Sequence, residues 1–87
     1  MINTTFMPPT KNTSIPEGIE QFRQQFGRRL ASLRKEKGLT QEKLASKLKV
    51  DPVYVAYLEG AKRSPSFNTL YKLSQILAVA PSDLFRF

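Results

Sequence analysis

Apolar residues recur at helical spacing along most of the chain, and this pattern predicts five helices. In the first helix, apolar residues three or four positions apart form one stripe: Ile19, Phe22, Phe26, Leu30 and Leu33. We expect this helix to begin near Glu17 or Gly18, directly after Pro16, and to end at Gly38, since glycine suits a left-handed helix cap. Residues 1–16 are rich in proline and small polar residues and lack apolar periodicity, which predicts a flexible N-terminal tail.

Two short amphipathic helices follow, one on each side of a break in the pattern. Thr40 is a favourable N-cap for the first of them, which we expect to end near Leu48. Asp51 followed by Pro52 is a strong signal for a helix start, and the second helix should end near Gly60. Two helices of about two turns each, joined by a turn of about three or four residues, form a helix-turn-helix.

The C-terminal part of the chain predicts two further helices. Ser66 should cap a fourth helix, whose inward-facing residues are expected to be Phe67, Leu70, Leu73, Ile76 and Leu77. A short fifth helix is expected from Pro81, with Leu84 and Phe85 on its apolar side. A chain of 87 residues suffices for one domain. We therefore expect residues 17–87 to form one compact all-α bundle of five helices.

Composition excludes several kinds of site. The chain contains no cysteine and no histidine, which removes disulfides, thiolate metal sites and imidazole catalysis. It has seven acidic residues and neither a nucleophile–base constellation nor a phosphate-binding loop, so we expect no enzymatic activity, metal, cofactor or small-molecule ligand. No apolar run is long enough to span a bilayer, and the N-terminus lacks a signal-peptide pattern; these features predict a cytoplasmic protein with no membrane partner.

Charge points to a polyanionic partner. The net charge is +7, and the segment from Arg28 to Arg63 alone carries +6. A basic excess of this density attracts nucleic acid, although a well-solvated basic surface would give the same count.

A set of spaced residues links these elements to a known family. It begins with the run LRKEKGLTQEKLA at residues 33–45 and continues in register through Leu48, Val50, Val55, Leu58, Glu59, Lys62, Arg63, Pro65, Ser66, Leu70, Leu73, Leu77 and Val79. This pattern resembles that of phage-repressor and Cro-type (XRE-like) helix-turn-helix domains and spans about residues 22–85. The resemblance implies a lambda-repressor-like DNA-binding domain. The small size and the tyrosine near the start of the third helix are also similar to restriction-modification controller proteins.

The resemblance implies double-stranded DNA as the partner, with the third helix, about residues 52–59, in the major groove. It implies base contacts from Pro52, Val53, Tyr54 and Tyr57, and phosphate contacts from Gln41, Lys43, Lys62, Arg63 and Ser64. The third helix contains no Arg, Lys, Asn or Gln, the residues that read guanine and adenine with two hydrogen bonds. We therefore expect weak direct readout and an affinity dominated by phosphate contacts. The alternative is that the two tyrosines cover the core or a partner subunit.

Other positions have structural roles in this comparison. The resemblance implies a partly buried ion pair between Arg34 and Glu59, which would fix the third helix against the first. At the turn position held by Lys49 the family usually has glycine, so we expect a lysine in a left-handed conformation, at a cost of roughly 1 kcal/mol. The pair Gly60–Ala61 stands where the family more often has a basic residue and then glycine, so the end of the third helix is expected to differ in shape.

A dimer follows from the logic of operator recognition, because one short helix buries too little surface to discriminate a site. The expected dimer-interface residues are Val79, Leu84, Phe85 and Phe87, which are more apolar than a small monomer needs; the alternative is that they close the core. The favoured function is a sequence-preferring, dimeric transcriptional regulator. The other reading is a protein-interaction module, such as an antitoxin-like or adaptor use of the same fold, because apolar and aromatic residues dominate the third helix.

Overall fold

The computed structural model describes residues 15–87, which form four α-helices and a terminal 3₁₀ helix, with no strand in this range. The helices are α1 (Ile15–Glu36), α2 (Gln41–Leu48), α3 (Pro52–Glu59) and α4 (Phe67–Leu77), followed by the 3₁₀ helix Pro81–Phe85. The predicted all-α class is confirmed, but the fifth helix is not an α-helix. A five-residue segment that begins with proline suits the tighter 3₁₀ form, which proteins use in short pieces.

The first helix begins earlier than the sequence predicted. Its first residue is Ile15 rather than Glu17 or Gly18, so Pro16 lies within the first helical turn. Proline is tolerated there, because the N–H that it lacks would have no partner inside the helix. The remainder of the predicted tail, residues 1–14, lies outside the described residues. No helix in residues 15–87 is both long and apolar enough to cross a membrane.

The predicted N-caps of the three later α-helices are confirmed. The hydroxyl of Thr40 accepts the backbone N–H of Lys43 at 3.0 Å. The carboxylate of Asp51 accepts the N–H of Val53 at 2.8 Å, and Ser66 caps α4 in the same way. Each cap satisfies a backbone donor that the first turn of a helix leaves without a partner, and so fixes where each helix begins.

All four α-helices end in the same kind of turn, with one residue in the left-handed region. These residues are Gly38 (φ 72°), Lys49 (φ 62°), Ala61 (φ 64°) and Ala78 (φ 56°). In each turn a backbone N–H reaches back five positions to a carbonyl of the preceding helix, as from Val50 to Ala45 at 3.0 Å. This Schellman-type arrangement satisfies carbonyls that the helix leaves free, but only one of the four turns uses glycine.

The core is built almost entirely of aliphatic residues from all five elements: Phe26, Leu30, Leu33, Leu44, Ala45, Leu48, Val55, Leu58, Leu73, Leu77 and Leu84. Helix α3 packs between α1 and α2, while the 3₁₀ helix packs against α1 and α4. The helix-turn-helix is therefore held by α1, which packs against α3, and by α4, which packs against α2, while the 3₁₀ helix joins α1 to α4.

Several residues of the predicted apolar stripes lie at the surface. The side chain of Phe67 is 87% exposed, and those of Ile19 and Phe22 are 43% and 48% exposed. The prediction that Phe67 faces inward is therefore wrong. It is the first residue of α4, and the stripe of this helix meets the core only from Leu70 onwards. Apolar periodicity shows which side of a helix faces inward, but not how far along the helix the covering surface extends.

Gly27 allows α1 and α3 to approach each other closely. A Cβ atom at this position would lie 2.8 Å from the carbonyl oxygen of Leu58 and nearer still to that of Glu59. Both oxygens belong to backbone, which cannot move aside without shifting the helix. The glycine inside the α1 stripe, which costs about 1 kcal/mol of helix propensity, thus sets the spacing between α1 and α3.

Candidate nucleic-acid interface

Helix α3 has one buried and one exposed face. Val55 and Leu58 are fully buried, whereas Val53 and Tyr57 are 54% and 42% exposed. Pro52, the first residue of the helix, is exposed as well. Three of the four expected base-contact residues are therefore accessible on the outer side of a helix whose inner side is anchored in the core. This is the arrangement that a recognition helix needs to insert into a groove.

Tyr54, the fourth expected base-contact residue, is placed differently. Its ring is partly buried and packs against the core, and its hydroxyl lies 3.4 Å from the hydroxyl of Thr69 on α4. The guanidinium of Arg63 lies 5.8 Å from the centre of the ring, within cation–π range. Tyr54 therefore joins α3 to α4 and contacts the loop between them, which fits the core-covering alternative for this tyrosine but not for Tyr57.

Arg34 and Glu59 form a bidentate ion pair that joins α1 to α3. The Nε and Nη2 groups of Arg34 donate to the two carboxylate oxygens of Glu59 at 2.6 and 3.0 Å. Nη1 donates to the carbonyl oxygen of Leu39 at 2.8 Å, and both charged side chains are at least nine-tenths buried. Hydrogen bonding to Glu59 and its negative charge raise the pKa of Arg34, against the opposing effect of burial. The pair holds the C-terminal end of α3 against α1.

Gln41 extends this network. Its side-chain amide donates to Oε1 of Glu59 at 2.9 Å, so the amide is already engaged within the protein. We therefore expect the backbone N–H of Gln41, and not its side chain, to contact a phosphate. This N–H lies at the first position of α2, where the helix dipole favours an anion. Lys43, another expected phosphate contact, is exposed in the same first turn.

The loop between α3 and α4 carries the other expected phosphate contacts. Lys62, Arg63 and Ser64 are all exposed, and the backbone N–H of Lys62 donates to the carbonyl of Tyr57 at 2.8 Å. The hydroxyl of Ser64 accepts a hydrogen bond from Arg23 of α1 at 3.3 Å. The basic loop is thus held by hydrogen bonds to the C-terminal part of α3 and to α1.

Sequence reasoning missed two arginines of α1 that secure this framework. Arg23 reaches the basic loop through Ser64, and Nε of Arg29 donates to the carbonyl of Asp83 in the 3₁₀ helix at 2.7 Å. The two residues of each contact are far apart in the sequence, by 41 positions for Arg23–Ser64 and by 54 positions for Arg29–Asp83. A basic residue on a polar helix face carries no local signal for such a partner, so nothing in the sequence pattern could have identified it.

The expected dimer-interface residues separate into two groups. Leu84 is fully buried and Val79 packs partly buried against the core, so these two residues close the monomer. Phe85 and Phe87 are 36% and 51% exposed. The ring of Phe22 stacks on that of Phe85 with centroids 5.8 Å apart, and it lies equally close to that of Phe87. Of the expected dimer-interface residues, Phe85 and Phe87 are therefore accessible, and together with Phe22 they form one exposed aromatic face. Leu84 is not part of this face.

Comparison with known proteins agrees with this geometry. A family model described as helix-turn-helix matches residues 30–84. An HTH-type transcriptional regulator of Sinorhizobium fredii is 40% identical over 63 residues, covering 72% of this chain and 82% of that protein. The control protein C.MunI of a Mycoplasma species is 41% identical over 61 residues, covering 69% and 82% of the two chains.

Solved structures agree as well. The restriction-modification controller protein C.AhdI from Aeromonas hydrophila superposes with a TM-score of 0.70 at 40% identity, covering 72% of this chain and 96% of its own. Because the family model matches well over half of the chain and the relatives match over most of their length, the chain belongs to the helix-turn-helix family of DNA-binding transcriptional regulators.

Proposed function

We propose that this protein binds double-stranded DNA as a dimeric, sequence-preferring transcriptional regulator, with α3 in the major groove. The observation that carries the proposal is the geometry of α3. Its inner face is fully buried and its C-terminal end is fixed by the Arg34–Glu59 pair, while Val53 and Tyr57 remain exposed. A helix held in this way can present side chains to base edges without further ordering.

The chemistry of α3 defines what it can read. Val53 can contact a thymine methyl group, and the hydroxyl of Tyr57 can exchange one hydrogen bond with a base edge. Neither group makes the bidentate contacts that give strong base discrimination. Most of the affinity then comes from phosphates, contacted by the α2 N-terminus, Lys43 and the basic loop at Lys62 and Arg63.

The direct test is to titrate the protein into the duplex found upstream of its own gene. Gel shift and fluorescence anisotropy measure the fraction of duplex bound. We expect affinity to fall about tenfold or more between about 50 and 200 mM salt, because counterions are released from the contacted phosphates. Arg63→Ala should weaken binding to all duplexes and lower the salt slope by about one, whereas Tyr57→Ala should chiefly reduce the preference for the cognate site.

The matched control is Arg28→Ala, which removes the same charge from an exposed position on α1. It should retain affinity, because long-range attraction alone is largely screened at physiological salt. An equal loss with Arg28→Ala and Arg63→Ala would show that binding depends on net charge alone. An affinity that does not change with salt would contradict phosphate-dominated binding.

Dimerisation rests on the exposed phenylalanine face, formed by Phe22, Phe85 and Phe87. A single α3 reaches only a few base pairs, and two copies would read half-sites about 34 Å apart. Aromatic residues are enriched in protein interfaces, so this exposed face is suited to contact a second copy.

The second candidate function is a protein-interaction module. One observation favours it: residues 52–59 include two tyrosines and two valines and none of the side chains that read guanine or adenine bidentately. Absence of binding to any duplex at low salt, with the fold intact, would favour this function over the first.

A further inference from the structure

A groove with a lysine rim lies between the end of α2 and α4. Residues 47–50 form one wall, and Tyr71, Lys72, Gln75 and Ile76 of α4 form the other. The groove has a volume of about 530 Å³, which is large enough to receive several side chains. We call it the lysine groove. It uses none of the residues proposed above to contact DNA or a second copy.

The lysine groove combines positive charge with an apolar floor. Leu48 is buried beneath it, while Val50 and Tyr71 are 36% and 62% exposed. The ammonium groups come from Lys47, Lys49 and Lys72, all exposed residues. Among the described residues, no carboxylate lines the groove. The surface therefore offers apolar contacts and three cations without a neighbouring anion in its walls.

The backbone of Lys49 belongs to the type of turn that ends all four α-helices. Its φ of 62° lies in the left-handed region, which costs a residue with a side chain roughly 1–2 kcal/mol and glycine almost nothing. The negative end of the α2 dipole accounts for Lys47 in the last helical turn. It does not account for Lys72 in the middle of α4. Because Ala61 and Ala78 adopt the same left-handed conformation without a charge, what points to a use of the groove is its set of three exposed lysines with no carboxylate among the described residues that line it.

We propose that the lysine groove binds an acidic, amphipathic segment of a protein partner. Apolar side chains of the segment would contact Val50, Tyr71 and Ile76, and its carboxylates would pair with the three lysines. Duplex DNA would complement the positive charge of this groove but not its apolar floor, because phosphates offer charge and no apolar side chains. The residues proposed to contact the two partners do not overlap.

The test uses a designed helical peptide of about 16 residues, with leucines along one face and glutamates beside them. One control peptide replaces every glutamate with glutamine, and the other replaces every leucine with serine. Binding to the full chain is measured by fluorescence anisotropy, and amide chemical shifts locate the site. We expect shifts centred on residues 47–50 and 71–76, and both control peptides should bind more weakly.

Three variants make the result specific. Lys49→Gly and Lys72→Gln should each weaken binding of the acidic peptide about fivefold, the loss expected for one favourable charge pair. Lys35→Gln, which removes an exposed lysine from α1, should leave it unchanged. Lys49→Gly should fold normally, because glycine suits the left-handed backbone, and thermal unfolding verifies this.

Other outcomes would overturn the proposal. Equal losses with Lys35→Gln and Lys72→Gln, or equal binding of the glutamine peptide, would show a non-specific response to charge. Shifts centred on α3 would place the peptide elsewhere. If Lys49→Gly weakened binding of the duplex as much as binding of the peptide, the groove would be a DNA contact. Peptide binding is measured without DNA, so failure of the DNA-binding proposal would not affect this result.

Discussion

At the scale of single residues, Glu59 connects the largest part of the site. It receives two hydrogen bonds from Arg34 and one from Gln41, so one carboxylate links α1, α2 and α3. A buried ion pair adds little net stability, because desolvation of both charges opposes their attraction. What it supplies is a fixed position for the end of α3. The loss of one partner is much more costly, since the other charge then remains buried alone.

Glu59→Ala should therefore lower the free energy of unfolding by about 3–5 kcal/mol, a large part of the stability of a small domain. Urea denaturation followed by circular dichroism measures this change. Glu36→Ala, which removes an exposed carboxylate at the end of α1, should change stability by no more than about 0.5 kcal/mol. Comparable, small effects of both substitutions would show that Arg34 finds solvent or another acceptor.

The left-handed residues show how far single positions can be predicted from the sequence. Gly38 was predicted because glycine favours this conformation, and Lys49 because of its place in the helix-turn-helix. Ala61 adopts the same conformation at a position where the family more often has glycine, so the difference in shape expected there is not found, and Ala78 adopts it without a sequence signal. Alanine is a good helix former, so the residue type alone does not indicate a turn at either position.

At the scale of elements, the spacing between α1 and α3 depends on Gly27. A methyl group here would collide with backbone carbonyls at the end of α3, next to the Arg34–Glu59 pair. The opposing effect is helix propensity, which favours alanine over glycine by about 1 kcal/mol. Since the clashing atoms are backbone, the steric effect should exceed the gain in propensity.

Gly27→Ala should thus destabilise the protein by about 2 kcal/mol, measured by thermal or urea unfolding. Gly18→Ala is the matched control, because it makes the same change in the same helix with nothing within 4 Å of the added carbon. The control should be neutral or slightly stabilising. If both substitutions stabilised the protein, α1 and α3 would be able to separate without loss.

Element positions were largely predictable, whereas side-chain partners were not. The caps Thr40, Asp51 and Ser66 are local signals and were read correctly. The type of the last helix was missed, because five residues are too few for a period to distinguish α from 3₁₀. The hydrogen bonds of Arg23 and Arg29 could not be predicted, since they depend on the relative placement of elements distant in the sequence.

At the scale of the whole molecule, three surfaces lie on different residues. The outer side of α3 with the basic loop is proposed for DNA, the phenylalanine face for a second copy, and the lysine groove for an acidic segment. The +7 net charge draws the protein to any polyanion, so charge alone cannot separate these roles. Substitutions that affect one surface and leave the others intact can separate them.

Phe87→Glu should weaken self-association about tenfold or more, because it places a charge in the aromatic contact with Phe22 and Phe85. Sedimentation equilibrium measures the dimer dissociation constant, and gel shift measures the accompanying loss of cooperative DNA binding. Val53→Glu puts the same charge on the exposed side of α3. It should abolish DNA binding through repulsion from the phosphates while self-association stays normal. If Phe87→Glu left the dissociation constant unchanged, the second copy would have to bind through another face.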